Sequence, residues 1–181
     1  TALFQSEHLS VLVGSGLTHA LHRMATNNGL PGMDLATFGS FDDEITAEAK
    51  YSAEAAGRSN GNIEDQIRVA NELLRGLEII ISKKTCFEQD VSQLRSDLTR
   101  VLNDFAGSIL KGEAGIVSAD SDKRELAFNY LVSFLMSFAS RTGTRDRLHL
   151  FTTNYDRCIE AGADIAGLRL IDRFVGTLAP I

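Results

Sequence analysis

The sequence predicts an α/β fold: a Rossmann-like parallel sheet with a large helical insertion. Near each end of the chain, a short apolar segment leads into a polar or glycine-rich turn and then a helical pattern, and a long helical block lies between. Strand–turn–helix units are typical of parallel sheets with crossover helices. These units predict a Rossmann-like core at 1–35 and 142–181 and a helical insertion subdomain at 36–141. The chain begins at Thr1 without Met and stops at LAPI, so it is also expected to be part of a longer protein.

The first strand–turn–helix unit lies close to the beginning of the chain. The segment Leu9–Val13 (LSVLV) is apolar, short and followed by glycine, which predicts a buried strand. Gly14–Gly16 then form the turn, and Thr18–Asn27 follow with a helical pattern that ends at Asn28 and Gly29.

The middle of the chain predicts several helices. Apolar residues recur at helical spacing over Ile63–Ile81, where Asn62 can cap the first turn. The same spacing continues over Phe87–Ile109, and the glycines of Gly112–Gly115 (GEAG) predict the end of that helix. Glu125–Ser140 is apolar around most of its circumference, so this helix is expected to be buried on all sides.

The hydrophobic period changes again towards the end of the chain. Leu148–Thr152 predicts a second strand, which runs into the polar turn of Thr152–Asp156. The helix that follows is expected to end at Gly162, and Leu168–Ile171 (LRLI) predicts a third strand.

Composition excludes several classes of function. The chain has 181 residues, of which 44% are hydrophobic, and a formal net charge of -6 without a polybasic run, so direct binding of nucleic acid is not expected. No apolar run is long enough to span a membrane, and no secretory leader is recognisable. The isolated Cys86 and Cys158 cannot form a zinc site by themselves and favour a reducing compartment, the cytoplasm.

The glycine turn has the features of a phosphate site. Glycine lets a ligand approach the backbone, and the following helix directs unpaired N–H groups and its positive dipole end at the same place. Thr18 could cap the helix or bond a phosphate oxygen. However, His19 stands where a GxGxxG motif needs its third glycine. The turn alone is equally consistent with a tight strand-to-helix connection, and His19 and His22 are expected at the surface.

The polar turn after the second strand also allows two interpretations. Thr153, Asn154 and Asp156 would lie at the carboxyl end of a parallel strand, where ligands bind in open α/β sheets. Alternatively, Thr153 or Asn154 is only a helix cap, with Asp156 in the first turn. Cys158, one turn into the helix, is either a thiol of lowered pKa or a buried packing residue.

Together the motifs resemble the sirtuin-like NAD-binding family. The family's GAG-x-S loop, G-I-P turn and T-Q-N-x-D segment are matched by Gly14-Ser15-Gly16-Leu17-Thr18, Gly29-Leu30-Pro31 and Thr152-Thr153-Asn154-Tyr155-Asp156. The segment Phe174–Ile181 (FVGTLAPI) is similar to a loop of bacterial sirtuin-like antiphage-defence proteins.

The resemblance implies an NAD+ hydrolase that breaks the nicotinamide–ribose bond, with NAD as substrate. No zinc is expected, because the protein-deacetylating members of the family carry a four-cysteine zinc module and this chain has two isolated cysteines. It implies that Asn154 holds a ribose hydroxyl or the attacking water and that Asp156 fixes the turn or the ribose. Four further candidates would hold the pyrophosphate: Gly14, Ser15, Gly16 and Thr18. Thr153 is an additional cofactor-binding candidate. Relatives of this type form homo-oligomers and pair with effectors such as a HerA-type ATPase, so nucleic acid would be met only indirectly.

The chain departs from the family pattern at two points. No histidine follows His149, although the family's catalytic histidine comes after TxNxD, and Thr153 replaces the glutamine. Two other functions therefore stay open. One is a non-catalytic module that senses NAD or ADP-ribose, and the other is the nuclease subunit of a defence complex.

Overall fold

A computed structural model describes residues 9–32, 34–82, 87–139 and 147–171. Most of these residues are helical, and none of the helices among them is long and apolar enough to cross a membrane. The elements, in chain order, are β1 (Ser10–Val13), α1 (Ser15–Thr26), α2 (Asp42–Ala55), α3 (Ile63–Ile81), α4 (Glu88–Val117), α5 (Ser121–Ala139), β2 (His149–Thr152) and α6 (Cys158–Ile165).

The predicted Rossmann-like α/β fold is wrong for the part of the chain that the structure describes, which contains one sheet of two strands. The two predicted strands at Leu9–Val13 and Leu148–Thr152 do form, as β1 and β2, and they pair in parallel. Leu12 and Phe151 are partners in the register and are 76% and 56% exposed. A Rossmann-like sheet would instead bury both of its faces under helices.

The predicted third strand, Leu168–Ile171, is absent because its first residue completes the end of α6. Gly167 adopts a left-handed conformation with φ of 69°, and the Leu168 N–H donates to the Ala163 carbonyl at 2.8 Å. The Gly167 N–H donates to the Asp164 carbonyl at 3.1 Å, which completes a Schellman motif. Gly167, and not the expected Gly162, is therefore the glycine that follows the helix.

The described residues divide into two compact units, one from Thr1–Leu30 with Gly112–Ile181 and the other from Pro31–Lys111. The predicted boundaries place the residues from 112 to 139 in the helical insertion instead. In the first unit, α1 and α6 both pack against α5. Its core is a cluster of small and aliphatic residues contributed by those helices and the end of α4: Leu21, Ala25, Ile116, Ala127, Leu131, Leu135, Cys158 and Ala163.

The second unit has its own core, formed by α2, α3 and the part of α4 before Gly112. Ile45, Leu94 and Val101 are completely buried there. The predicted cap of α3 is confirmed: the Asn62 side chain accepts from the Asp65 N–H at 3.0 Å, and Asp65 Oδ2 accepts from the Asn62 N–H at 3.0 Å. This reciprocal capping box satisfies two N–H groups of the helix start.

Two expectations about the helices are wrong. The glycines of Gly112–Gly115 do not end α4, which continues to Val117. The α5 helix is not buried on all sides, because Leu126 and Tyr130 are 52% and 60% exposed. Its buried positions, Ala127, Leu131 and Leu135, form a single stripe. Cys86 and Phe174–Ile181 lie outside the described residues.

Candidate functional site

The ends of the two strands place the two sequence motifs side by side. In the parallel register, Val13 pairs with Thr152, so both strands end at the same edge of the sheet. Gly14 follows one strand and Thr153 follows the other. Because the strands run in the same direction, the glycine turn and the polar turn leave the sheet together.

Thr18 links the two turns through its hydroxyl group. It is 4% exposed, and its Oγ1 donates to Asp156 Oδ2 at 2.7 Å. The same oxygen accepts from Asn154 Nδ2 at 2.9 Å. The directions are set by chemistry, since an ionised carboxylate can only accept and the hydroxyl proton therefore points to Asp156. We call Thr18, Asn154 and Asp156 the strand-end cluster.

Asn154 joins this cluster to the backbone of the glycine turn. Its Nδ2 also donates to the Gly14 carbonyl at 3.2 Å, which fixes the orientation of the amide, since the opposite orientation would face two oxygens to each other. Its Oδ1 is buried and, among the described residues, has no hydrogen-bond partner. Buried acceptors without a partner are rare in native structures, and a role in ligand binding or catalysis is one recognised explanation for them.

Asp156 has a structural role besides its bond to Thr18. Its Oδ1 accepts from the Cys158 N–H at 3.0 Å, so the carboxylate also satisfies an N–H group at the start of α6. The N-cap position itself is Arg157, which makes no side-chain cap bond. Neither Thr153 nor Asn154 caps the helix. Thr153 is exposed, and the Thr152 hydroxyl accepts from the Asn154 N–H at 3.0 Å.

The glycine turn is open to solvent. Gly14, Ser15 and Gly16 are exposed, and α1 begins at Ser15 without a side-chain cap. The Leu17 N–H already donates to the Gly14 carbonyl at 3.2 Å. The N–H groups of Ser15 and Gly16 come before it in the first helical turn, where such groups are able to bind an anion. Thr18, in contrast, already uses its hydroxyl as donor and acceptor within the strand-end cluster.

Two charged residues beside this cluster were not identified from the sequence. Arg157 follows Asp156 directly, and its guanidinium and backbone N–H both bond to Glu113 on α4. The hydrogen bonds from Arg157 hold the pKa of the Glu113 carboxyl below its usual value. No local pattern predicts a contact between residues so far apart in the sequence. In addition, Glu113 lies within Gly112–Gly115, where the sequence predicted the end of the helix.

Two further residues that the sequence singles out in this region, Cys158 and His22, are buried. Cys158 is 6% exposed, and burial is the first cause that raises the pKa of its thiol, followed by the neighbouring Asp156. A thiol of raised pKa is not a reactive nucleophile at neutral pH. His22 is 5% exposed, so its expected surface position is wrong, whereas His19 is exposed.

Within the described ranges, no group of three or more His, Cys, Asp or Glu side chains could hold a metal ion. No family model, curated protein or solved structure matches the chain.

Proposed function

We propose that this chain binds NAD+ at the glycine turn and the strand-end cluster and hydrolyses its nicotinamide–ribose bond. The observation that carries the proposal is the position of Asn154. Its amide spans Gly14 and Thr18, and its buried Oδ1 has no partner among the described residues. Two of the segments that resemble the sirtuin-like family, Gly14–Thr18 and Thr152–Asp156, therefore lie in direct contact, although they are far apart along the chain.

The conformation of the glycine turn favours its interpretation as a ligand site over its interpretation as a tight strand-to-helix connection. Gly14 has φ of -106°, which any residue can adopt, and no positive φ is found at Gly16. A Cβ atom added at either glycine would meet nothing within 4 Å. Because the fold does not require glycine at these two positions, close approach of a ligand to the backbone is the better reason for it.

In the proposed complex, the pyrophosphate binds the exposed N–H groups at Ser15 and Gly16, with Thr153 at the rim. Asn154 Oδ1 accepts a hydrogen bond from a ribose hydroxyl or from the attacking water. Positive charge develops at the ribose carbon as neutral nicotinamide leaves, so the leaving group needs no general acid. Catalysis then depends on positioning and on polar groups that suit this charge.

Asn154→Ala tests the proposal. The full chain is incubated with NAD+, and released nicotinamide is followed over time. We expect the variant to lose about a hundredfold in turnover, the cost of removing one positioned polar group. Asn129→Ala, at an exposed position of α5, is the matched control and is expected to retain wild-type turnover. Equal turnover by the wild type and Asn154→Ala would reject the role of Asn154.

One observation favours a second candidate, a module that binds NAD or ADP-ribose without cleaving it. Both oxygens of Asp156 accept hydrogen bonds that hold the two turns and the start of α6, so a structural role explains this carboxylate without catalysis. Calorimetry with NAD+ distinguishes the two functions. Binding that Asn154→Ala weakens, without nicotinamide release by the wild type, assigns the sensing function.

The cellular setting is part of the same proposal and rests on the resemblance alone. It is bacterial antiphage defence in the cytoplasm, by a homo-oligomer with a HerA-type ATPase as partner. Light scattering after size-exclusion chromatography measures the mass of the assembly, and a monomer at micromolar concentration would contradict the homo-oligomer.

A further inference from the structure

The last part of α4 contacts residues that follow each of the two turns of the candidate site. Within Gly112–Gly115, the segment expected to break the helix, a Cβ atom added at Gly115 would lie 3.0 Å from His22 Nε2 on α1. Two positions earlier, Glu113 contacts Arg157 at the start of α6. This part of α4 therefore touches the helix that follows the glycine turn and the residue that follows the polar turn.

Glu113 holds Arg157 through its main chain as well as its side chain. The Arg157 backbone N–H donates to Glu113 Oε1 at 2.9 Å, and Arg157 Nη2 donates to Glu113 Oε2 at 2.5 Å. The Glu113 side chain is 15% exposed, whereas that of Arg157 is 76% exposed. The contact is thus a largely buried carboxylate that accepts from a backbone group and is covered by a guanidinium.

We propose that Glu113 is a positioning residue for the proposed NAD+ hydrolysis, and that it acts by anchoring the polar turn through the backbone of Arg157. The inference rests on the function proposed above. On one side, the turn is held by the bond between Thr18 and Asp156. Glu113 supplies a second anchor directly after Asp156, so Asn154 and Asp156 are fixed between two points. Without Glu113, this end of the turn is held by the short-range bond from the Cys158 N–H to Asp156 Oδ1, which does not fix it to α4, so the turn can shift.

The backbone contact distinguishes this role from that of a surface ion pair. Glu113→Gln keeps an oxygen that accepts from the Arg157 N–H and loses the charge. Arg157→Ala keeps the N–H group and loses the guanidinium. Glu113→Ala loses both interactions. If the anchor is the backbone bond, Glu113→Ala is the damaging change, and the other two retain most of the activity.

The experiment compares these three variants of the full chain with Glu125→Ala, a control at an exposed position of α5. Steady-state nicotinamide release is measured well below each variant's midpoint of thermal unfolding. For Glu113→Ala we expect kcat to fall by ten- to a hundredfold, roughly the effect of a misplacement of about 1 Å. KM for NAD+ should change less than about threefold, because the first turn of α1 still binds the pyrophosphate. Glu113→Gln should recover kcat to within about threefold of the wild type.

Three results would overturn the inference: a wild-type kcat in Glu113→Ala, an equal loss in Glu125→Ala, or a Glu113→Gln variant as slow as Glu113→Ala. If the wild type itself releases no nicotinamide, the proposed hydrolysis is wrong. Amide hydrogen exchange then tests separately whether Glu113 anchors the backbone of Arg157. Faster exchange of the Arg157 N–H in Glu113→Ala, by about tenfold or more, supports the anchor. Unchanged exchange rejects it.

Discussion

The Thr18 hydroxyl donates a hydrogen bond of 2.7 Å to Asp156 Oδ2, although 138 positions separate the two residues. Thr18 lies in the first turns of α1, and Asp156 lies just before α6. The bond joins α1, which follows the first strand, to the polar turn that follows the second strand. Because Asn154 donates to the same hydroxyl, one side chain of α1 orients both polar residues of the opposite turn.

Thr18→Val removes this hydroxyl while keeping the shape of the side chain. Asp156 Oδ2 loses its donor and Asn154 Nδ2 loses one acceptor, so we expect the free energy of unfolding to fall by about 1–3 kcal/mol. Nicotinamide release should fall as well. Urea denaturation and the release assay measure the two effects. Thr18→Ser, which keeps the hydroxyl, is the control, and an equal loss in both variants would contradict the role of the hydrogen bonds.

Gly16→Ala distinguishes an effect on the stability of the fold from an effect on binding of the proposed ligand. The added methyl group meets nothing within 4 Å, so stability should stay unchanged or rise by up to about 1 kcal/mol. A methyl group beside the pyrophosphate should nevertheless raise KM for NAD+ by about tenfold, equivalent to a loss of about 1.4 kcal/mol. Gly107→Ala, a helical glycine of α4 with equally open space, should leave KM unchanged. A wild-type KM in Gly16→Ala would remove the glycine turn from the binding site.

Gly162→Ala tests the packing of α6 on α5. A Cβ atom at this position would lie 2.6 Å from Leu131 Cδ2 and 3.0 Å from Leu135 Cδ1, both on buried residues. We expect the free energy of unfolding to fall by about 1–3 kcal/mol, the usual cost of overpacking. Gly76→Ala in α3 has open space around the added atom and should be stabilising. Chemical denaturation measures the free energy of unfolding of both variants. A Gly162→Ala variant as stable as the wild type would contradict the close packing.

The lowered pKa of the Asp97 carboxyl predicts how the stability of the second unit depends on pH. Burial by itself would raise the pKa of this carboxyl, but hydrogen bonds from the Gln93 side chain and from the Gly39 and Ser40 N–H groups outweigh it and lower the pKa. The folded pKa is therefore below the unfolded value, near 3.8. The stabilisation is complete above that value and is lost as the pH falls through the lower folded pKa.

Asp97→Asn should accordingly lower the free energy of unfolding at pH 7 by about 1–3 kcal/mol and flatten its decrease below pH 4. Denaturant titrations between pH 7 and pH 2.5 measure both effects. Asp104→Asn on the same helix is the control: its side chain is 72% exposed, so its ion pair with Arg100 should contribute less than about 1 kcal/mol. Parallel pH profiles for the wild type and Asp97→Asn would contradict the assignment.

Local chemistry explains which elements the sequence predicts correctly. The start of α3 is predicted because Asn62 and the apolar spacing after it act within a few residues. The helix end expected at Gly112–Gly115 is wrong because Ile116, directly after it, is buried in the core of the first unit. Burial of such a side chain contributes about 1.5–3 kcal/mol and offsets the glycine penalty of about 1 kcal/mol per residue. The expected strand at Leu168–Ile171 is wrong because β-propensity depends on a pairing partner, and here the Schellman motif uses the first N–H group.

The sequence by itself determined the two strands, the helical middle and the chemical character of the two turns, because these depend on neighbouring residues. Only the tertiary structure decided that Thr18 bonds to both Asn154 and Asp156, and that Glu113 holds Arg157. Such contacts follow from the parallel register that sets Val13 beside Thr152 and from helix packing in the first unit. Both are sums of many weak interactions between distant segments, and no local pattern encodes them.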